Sequence, residues 1–254
     1  MSGYIYNFPI SMLKGFLNDS EKCLVAIGKF ALYCKYLAEN EDIEDTLEGF
    51  GISYSNVNAA LKEGKTLYQQ YDSDGYPWTG INHDLYWTFC HKDRSDFDKA
   101  TLLAFLAIKS LIGQKPFYKV TNQSVIFKRM AGYKESDKWN IPKEIKKFTT
   151  RSRFDRIKLE LKENWNVVIY ATYVRGMYIS TTLSLEELAM QAEKNKLRTR
   201  QRAQSRAAEE ARRKAVETLA ANYPKPQPTQ RTEQPPQVQK PPHPYYDNGD
   251  DLDF

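Results

Sequence analysis

The chain has 254 residues, of which 13% are aromatic, and a formal net charge of +5. This length is enough to bury a substantial core in one large domain or two small ones. No apolar run reaches the roughly 18 to 20 residues that span a bilayer, and the start, MSGYIYNF, lacks the pattern of a secretion signal. These features argue against the membrane-spanning and secreted classes and predict a soluble, cytosolic protein.

The net charge conceals a segregation along the sequence. Residues 1–97 carry 8 Lys/Arg against 14 Asp/Glu, whereas residues 98–182 carry 17 against 7. Residues 183–222 carry 9 against 6, and residues 223–254 carry 3 against 5. A basic block of the size found in 98–182 predicts a polyanionic partner, most often nucleic acid.

Cysteine and histidine are few, and their spacing does not favour a metal site. Cys23, Cys34 and Cys90 form no CxxC motif, which is typical of a reducing compartment. His83 and His91 lie with Cys90 in the aromatic, turn-rich segment 74–93, but the spacing matches no zinc pattern. We expect buried thiols, a packed aromatic linker at 74–93, and no metal or cofactor.

The front of the chain, residues 1–94, is predicted to be a helical N-terminal domain. Pro9 is placed to begin a first helix, and the cluster Asn18-Asp19-Ser20 is placed to cap a second. Apolar residues then recur at helical spacing at Leu24, Ile27, Ala31 and Cys34.

The stretch LEGFGISYSNVNAALKEG within this domain resembles a helix-turn-helix. The resemblance rests on Gly51 at the turn, followed by Ile52 and, further on, Val57 as packing residues. Because the surrounding segment is acidic, two interpretations stay open, a structural helical turn and a DNA-reading element.

Residues 95–182 are predicted to form a second, basic domain. Ser95 or Asp96 caps a helix that is apolar nearly all round, and FYKV follows as a short strand. Thr121 is expected to cap the helix NQSVIFKRMAGY, with its apolar side facing inward and Lys128 and Arg129 facing away. A short helix at IPKEIKKF, a helix over 151–164 and a hairpin that turns near residues 174–176 complete the domain. The inward positions of these two longer helices are Val125, Ile126, Met130, Phe154, Ile157 and Leu161.

This order of helix, short strand, helix, helix and hairpin over about residues 98–182 resembles the winged helix-turn-helix family. The resemblance implies that the third helix, 151–164, enters the major groove of DNA and that the wing at Arg175 contacts the adjacent backbone. The interval between Ala131 and Arg151 is long for that family, so we expect an inserted helix there. The predicted DNA-binding residues are Lys119, Lys128, Arg129, Lys143, Lys146, Lys147, Arg151, Arg153, Arg156, Lys158, Lys162 and Arg175. Base stacking is a second interpretation for the aromatic residues of the block, Phe117, Tyr118, Phe127, Tyr133, Trp139, Tyr170, Tyr173 and Tyr178.

Residues 183–222 are predicted to form one long charged helix. Ser184 and Glu187 have the spacing of a capping box. Arg198, Arg202 and Arg206 recur every four residues on one face, where like charges repel. A solvated helix or coiled-coil arm and an anion-binding face are both compatible with this pattern.

The composition changes abruptly in residues 223–254, which hold eight of the twelve prolines and predict a disordered tether. Its last residues, Asp250, Asp251, Leu252, Asp253 and Phe254, resemble the acidic C-terminal peptide of bacterial single-stranded DNA-binding proteins. Asp253 departs from that family, which usually has proline at this place. The resemblance implies that these five residues bind a partner protein of replication or repair through an apolar anchor and carboxylates.

Together these features predict a mainly α protein with a small β-hairpin (α+β), which is not the β-barrel of single-stranded DNA-binding proteins. The leading hypothesis is a DNA-binding protein of replication or repair, of phage or mobile-element origin, for single-stranded or duplex DNA. The alternative is a winged-helix transcription regulator that binds a duplex operator. An enzyme is not expected, because the sequence has no P-loop, no nucleophile motif and no carboxylate cluster beside the basic block.

Overall fold

Helices make up most of the chain, and two small antiparallel sheets accompany them, which confirms the predicted fold class. The computed structural model describes residues 4–47, 54–72, 75–138, 141–171 and 176–223. The chain divides into two compact units, residues 1–198 and 199–254.

The front of the chain combines helices with a two-stranded sheet. Its elements are β1 (Ile5–Pro9), a 3-10 helix (Ile10–Leu13), α1 (Ser20–Ala38), α2 (Ile43–Leu47), α3 (Tyr54–Tyr71), β2 (Trp78–Asn82) and α4 (His83–His91). β1 pairs antiparallel with β2, from Ile5 opposite Asn82 to Pro9 opposite Trp78. The helix predicted from Pro9 is a short 3-10 helix that begins at Ile10, with Pro9 both as its N-cap and as the last residue of β1. The prediction of a linker at 74–93 was wrong, because this segment contains β2 and α4.

The long helix α1 forms as the sequence predicts. The Asp19 side chain accepts a hydrogen bond from the Lys22 amide and caps the helix. Leu24, Ile27 and Ala31 are buried on its inner side. Helix α3 approaches α1 closely at Gly64, where a Cβ would lie 2.3 Å from the Lys29 carbonyl oxygen, so only glycine permits this contact.

The segment resembling a helix-turn-helix is described only in part. Two helices, α2 and α3, flank it, and Val57 of α3 is buried. Gly51 and Ile52 lie outside the described residues. Its two interpretations therefore stay predictions.

Helix α5 (Asp96–Ile112) is the central element of the core. Ser95 and Asp98 form a reciprocal capping box at its start, and most of its circumference is buried, as predicted. Thr79 of β2 donates from Oγ1 to the Leu106 carbonyl at 2.9 Å, and Lys109 Nζ donates to the Gly80 carbonyl at 2.6 Å. The buried residues before and after position 95 form one continuous cluster, so the predicted boundary at 94/95 does not separate two cores.

The basic segment follows α5 in the predicted order. It comprises β3 (Tyr118–Val120), α6 (Ser124–Met130), α7 (Lys143–Lys146), α8 (Arg151–Asn164), β4 (Val168–Ala171) and β5 (Met177–Ser180). The strands form an antiparallel sheet in the order β3-β5-β4. Thr121 does not cap α6, because the helix begins at Ser124 and the Asn122 side chain accepts the Ser124 amide.

The last described element is α9 (Leu185–Asn222), close to the predicted bounds. Ser184 and Glu187 make the reciprocal hydrogen bonds of a capping box. Leu188 and Ala192 are buried against Tyr178, which extends the first unit beyond the predicted boundary at 182/183. Residues 199–223 are all exposed.

Candidate nucleic-acid interface

Helix α8 has a buried side and an exposed basic side. Phe154, Ile157 and Leu161 are at most 1% exposed, as their spacing predicts. Phe154 packs edge-on against Phe127 of α6, with the ring centroids 4.8 Å apart. The apolar contacts fix the helix, so its opposite side is presented to solvent. The Arg151 side chain on that side is 97% exposed.

The cations of α8 differ in how they are held. Asp155 is shared between Arg151, at 3.8 Å from Nε to Oδ2, and Lys158, at 2.6 Å from Nζ to Oδ1. The Arg156 guanidinium lies over the Phe97 ring, 5.1 Å from its centroid. Each of these exposed pairs contributes little to stability, so an anionic ligand can replace them at small cost.

Arg153 and Lys162 complete the basic side of α8. Arg153 Nη1 donates to the Lys147 carbonyl at 2.8 Å, which ties the first turn of α8 to the end of α7. Lys162 is exposed and forms no ion pair with any other residue that the structure describes. Lys162 is therefore free to meet a phosphate.

The start of α8 also favours an anion. Its first turn contains no acidic residue, and Arg151 and Arg153 are exposed there. Unpaired backbone N–H groups and the helix dipole make such a terminus attractive to phosphate.

Helix α7 adds lysines next to α8. Lys143 and Lys146 are exposed, whereas Lys147 forms a short ion pair with Asp96 at the start of α5. The hydrogen bond and the charge of Lys147 lower the pKa of the Asp96 carboxyl, although solvent screens this exposed pair. Lys147 thus has a structural partner before any ligand binds.

On the strands, Lys119 is exposed and its Nζ lies 5.6 Å from the centroid of the Tyr178 ring. The predicted wing residue Arg175 lies outside the described residues, between β4 and β5. Lys119 precedes Val120, which pairs with Met177 at the start of β5. The sheet therefore places Lys119 beside the strand that begins just after the predicted wing.

Two of the predicted DNA-binding residues are used inside the protein instead. Arg129 was predicted to face away from the core but is only 8% exposed, and burial lowers the pKa of its guanidinium. It lies three residues after the buried Ile126, on the same side of α6. Lys128 Nζ donates to the carbonyls of Glu135 and Asp137, at 2.7 and 3.1 Å, and fixes the loop after α6.

The aromatic residues of the basic block are mostly packed rather than displayed. Phe127 and Tyr178 are buried, which contradicts a stacking role for them. Phe117, Tyr118, Tyr133 and Tyr170 are partly buried, and Trp139 and Tyr173 lie outside the described residues. Among the described residues, exposed large rings lie elsewhere: Tyr223 after α9 is 75% exposed, and in the front half Trp78 and Trp87 are 41% and 46% exposed. The sequence analysis missed these two tryptophans, although Trp87 lies four residues from both His83 and His91.

The cysteines are free thiols packed beside the core. Burial raises the pKa of the Cys34 thiol to about 12, and the charge of Asp72 acts in the same direction. Burial likewise raises the pKa of Cys23 and Cys90. A raised pKa suppresses the thiolate that nucleophilic catalysis and metal binding require. The described ranges contain no group of three or more His, Cys, Asp or Glu side chains placed to hold a metal ion.

Within the same ranges, no helix combines the length and the apolar content needed to cross a membrane. The predicted partner-binding residues 250–254 lie outside the described residues. No family model, curated protein or solved structure matches the chain.

Proposed function

We propose that this chain is a DNA-binding protein of replication or repair that contacts DNA through α8 and the neighbouring α7. The observation that carries the proposal is the division of α8 into a buried apolar side and an exposed side that bears Arg151, Arg156 and Lys162. Phosphate contacts from such side chains supply the sequence-independent part of DNA affinity.

The topology supports the same proposal. The order α5, β3, α6, α8, β4 and β5 is the order that the resemblance to winged helix-turn-helix proteins leads us to expect, with α7 as the insertion. In that family the helix corresponding to α8 lies in the major groove and the hairpin contacts the adjacent backbone.

The second candidate function, a transcription regulator for a duplex operator, is favoured by two uncharged residues on the outer side of α8. Ser152 is exposed and Leu159 is 52% exposed, close to Arg156. Hydroxyl and methyl groups at such positions contact base edges and thymine methyls. A strong preference for one duplex sequence would favour this candidate.

A titration with oligothymidine and with random duplex DNA at low and moderate salt tests the DNA proposal. If six to ten phosphates are contacted, affinity falls by about 10³ to 10⁵ between 50 and 200 mM salt. In the variant with Arg151→Gln, Arg156→Gln and Lys162→Gln, the slope of log affinity against log salt should decrease by about three.

The matched control is Lys22→Gln, Lys62→Gln and Lys65→Gln, which removes the same charge from exposed positions on α1 and α3. The control should bind DNA nearly as well as the unaltered protein. Equal losses in the two variants would mean that net charge, rather than the α8 surface, determines binding, and a flat salt response would contradict the proposal altogether.

We further propose that Asp250, Asp251, Leu252, Asp253 and Phe254 recruit a partner protein, on the strength of their sequence pattern. Phe254 would fill an apolar pocket, and the carboxylates would meet cations at its rim. Deleting Phe254 should abolish partner capture in a pull-down from host lysate and leave DNA affinity unchanged. Recovery of the same partners with and without Phe254 would contradict this part of the proposal.

A further inference from the structure

A groove of about 770 Å³ runs between α1 and the end of α4. Leu24, Val25 and Gly28 line it from α1, and Trp87 and His91 line it from α4. Val25 is 45% exposed and Trp87 is 46% exposed. The groove therefore offers apolar surface to a ligand without any rearrangement of the core.

Helix α4 carries a row of rings at four-residue spacing, of which Trp87 and His91 line the groove. Trp87 stacks on His91 with centroids 3.8 Å apart and on His83 at 5.9 Å, at interplanar angles of 26° and 22°. His83 Nδ1 lies 2.9 Å from the Tyr6 hydroxyl, and His91 Nδ1 donates to the Trp87 carbonyl at 3.0 Å. These hydrogen bonds hold the two imidazoles on either side of Trp87, so the ring of the row that remains open to a base in the groove is the exposed His91, with Trp87 behind it.

The lining of the groove is weakly basic. Lys29, Lys92, Arg94 and Lys99 contribute cations, against the carboxylates of Glu21 and Asp93. Lys29 is paired with Glu63, which lies outside the lining. This small excess of cations over carboxylates favours a ligand whose negative charges are spread along its length.

Arg94 is the most informative of these cations. Its guanidinium lies 5.1 Å from the centroid of the Phe89 ring, and its Nε is buried without a hydrogen-bond partner. A buried donor of this kind carries a desolvation cost, which an anion bound at the other guanidinium nitrogens of Arg94 would offset.

The first turn of α5 connects this groove to the proposed DNA surface. Asp96 pairs with Lys147 after α7, Phe97 lies beneath Arg156 of α8, and Lys99 lines the groove. Of the carboxylates here, Asp96 is paired with Lys147 and Asp98 is engaged in the capping box. The first turn of α5 therefore contacts α7 and α8 and also contributes a cation to the groove.

We propose that the groove binds unpaired bases of a single-stranded nucleic acid, which stack on His91 at the end of the ring row, supported by Trp87 behind it, while phosphates meet Arg94 and Lys99. This inference rests on the proposed DNA-binding function and adds the strand preference that the α8 surface leaves open. Duplex DNA keeps its bases stacked inside the helix, so it cannot use this site. Stacking on aromatic side chains is tolerant of sequence, so binding in the groove is not sequence-specific.

The test compares Trp87→Ala with Trp78→Ala, because both indoles are similarly exposed and only Trp87 lines the groove. Binding of labelled oligothymidine and of a hairpin duplex is measured by fluorescence anisotropy on the full chain. Trp87→Ala removes the ring on which His91 is stacked, so it should weaken oligothymidine binding by about 5-fold to 150-fold, the range for loss of one stacked base, and leave duplex binding unchanged. Trp87→Phe should retain most of the affinity, and Trp78→Ala all of it.

Val25→Glu gives a second variant if Trp87→Ala fails to fold. Val25 is exposed in the groove, so a carboxylate there is tolerated by the fold and repels phosphate. It should weaken oligothymidine binding selectively, as Trp87→Ala does.

Three results overturn the inference, and they separate it from the DNA proposal. Equal oligothymidine affinity in Trp87→Ala and Trp78→Ala, with a loss in the α8 triple variant, contradicts base binding in the groove. It leaves the proposal that α8 contacts DNA intact. Trp87-dependent capture of an acidic peptide that ends in phenylalanine, without any effect on oligothymidine, assigns the groove to a peptide instead. If the unaltered protein binds neither form of DNA, both proposals fall.

Discussion

Helices α6 and α8 belong to the same basic segment, yet they place their cations differently. In α6, Arg129 is buried and Lys128 bonds to loop carbonyls. In α8, Arg151 and Arg156 are exposed, and their contacts within the protein are weak surface contacts. Lys128 and Arg129 of α6 are therefore held within the fold, whereas Arg151 and Arg156 of α8 remain available to a ligand.

The difference follows from the environment of each helix. α6 has only seven residues and is packed so that Ile126, Phe127, Arg129 and Met130 are all buried. α8 has fourteen residues and buries one stripe every three or four positions. A high count of basic residues thus indicates that a segment can neutralise phosphate. Which of these residues are available for that role depends on the side of the helix on which each one lies.

The largest expected effect comes from the buried side of α8. Replacing Phe154 with alanine removes its contact with Phe127 and leaves a cavity, so the free energy of unfolding should fall by about 3–5 kcal/mol. Leu159→Ala on the exposed side should change it by no more than about 0.5 kcal/mol. Urea unfolding followed by circular dichroism measures both. Similar losses in the two variants would show that the outer side of α8 is packed in solution and is not free for DNA.

The sequence was sufficient for elements that depend on local patterns. Apolar spacing identified α1, α5 and α8, and the capping residues Asp19, Ser95 and Ser184 marked three helix starts. These features form between residues that are close in sequence, where propensity and capping act directly.

The sheet of the front half was not predicted, because strand pairing is a long-range property. β1 and β2 are more than sixty residues apart, and the partner of the short segment IYNFP is not visible in its own sequence. The local signal of Pro9 indicated a helix start, and a 3-10 helix begins at Ile10, but nothing local showed that Pro9 also ends a strand paired with Trp78.

The two errors at the candidate sites came from giving residue type more weight than spacing. Arg129 was assigned to the surface because it is charged, although its three-residue distance from Ile126 placed it on the buried side. Trp87 was assigned to a packed linker because it is aromatic, although the spacing of His83, Trp87 and His91 is that of one helix face. Once the two helices were assumed, residue spacing would have placed Arg129 on the buried side of its helix and Trp87 on the same helix face as the two histidines.

The contrast between α6 and α8 gives a final, smaller prediction at Arg129. Its Nε and Nη1 are buried without hydrogen-bond partners, and burial penalises the charged form, as the lowered pKa shows. Nearby Glu135 and Asp137 favour the charge but act against a larger desolvation cost. Replacement by the flexible, apolar methionine should therefore leave the free energy of unfolding unchanged or raise it by up to about 2 kcal/mol.

The matched variant Arg156→Met exchanges the same side chain on the exposed side of α8. It should weaken DNA binding and change the free energy of unfolding by no more than about 0.5 kcal/mol, whereas Arg129→Met should leave DNA affinity as it is. Thermal unfolding and anisotropy titrations on the two variants measure these quantities side by side. A loss of DNA affinity in folded Arg129→Met would place α6 in the interface, because the buried guanidinium would then have to emerge and contact the ligand. That result would contradict the conclusion that the basic residues of α6 are held within the fold.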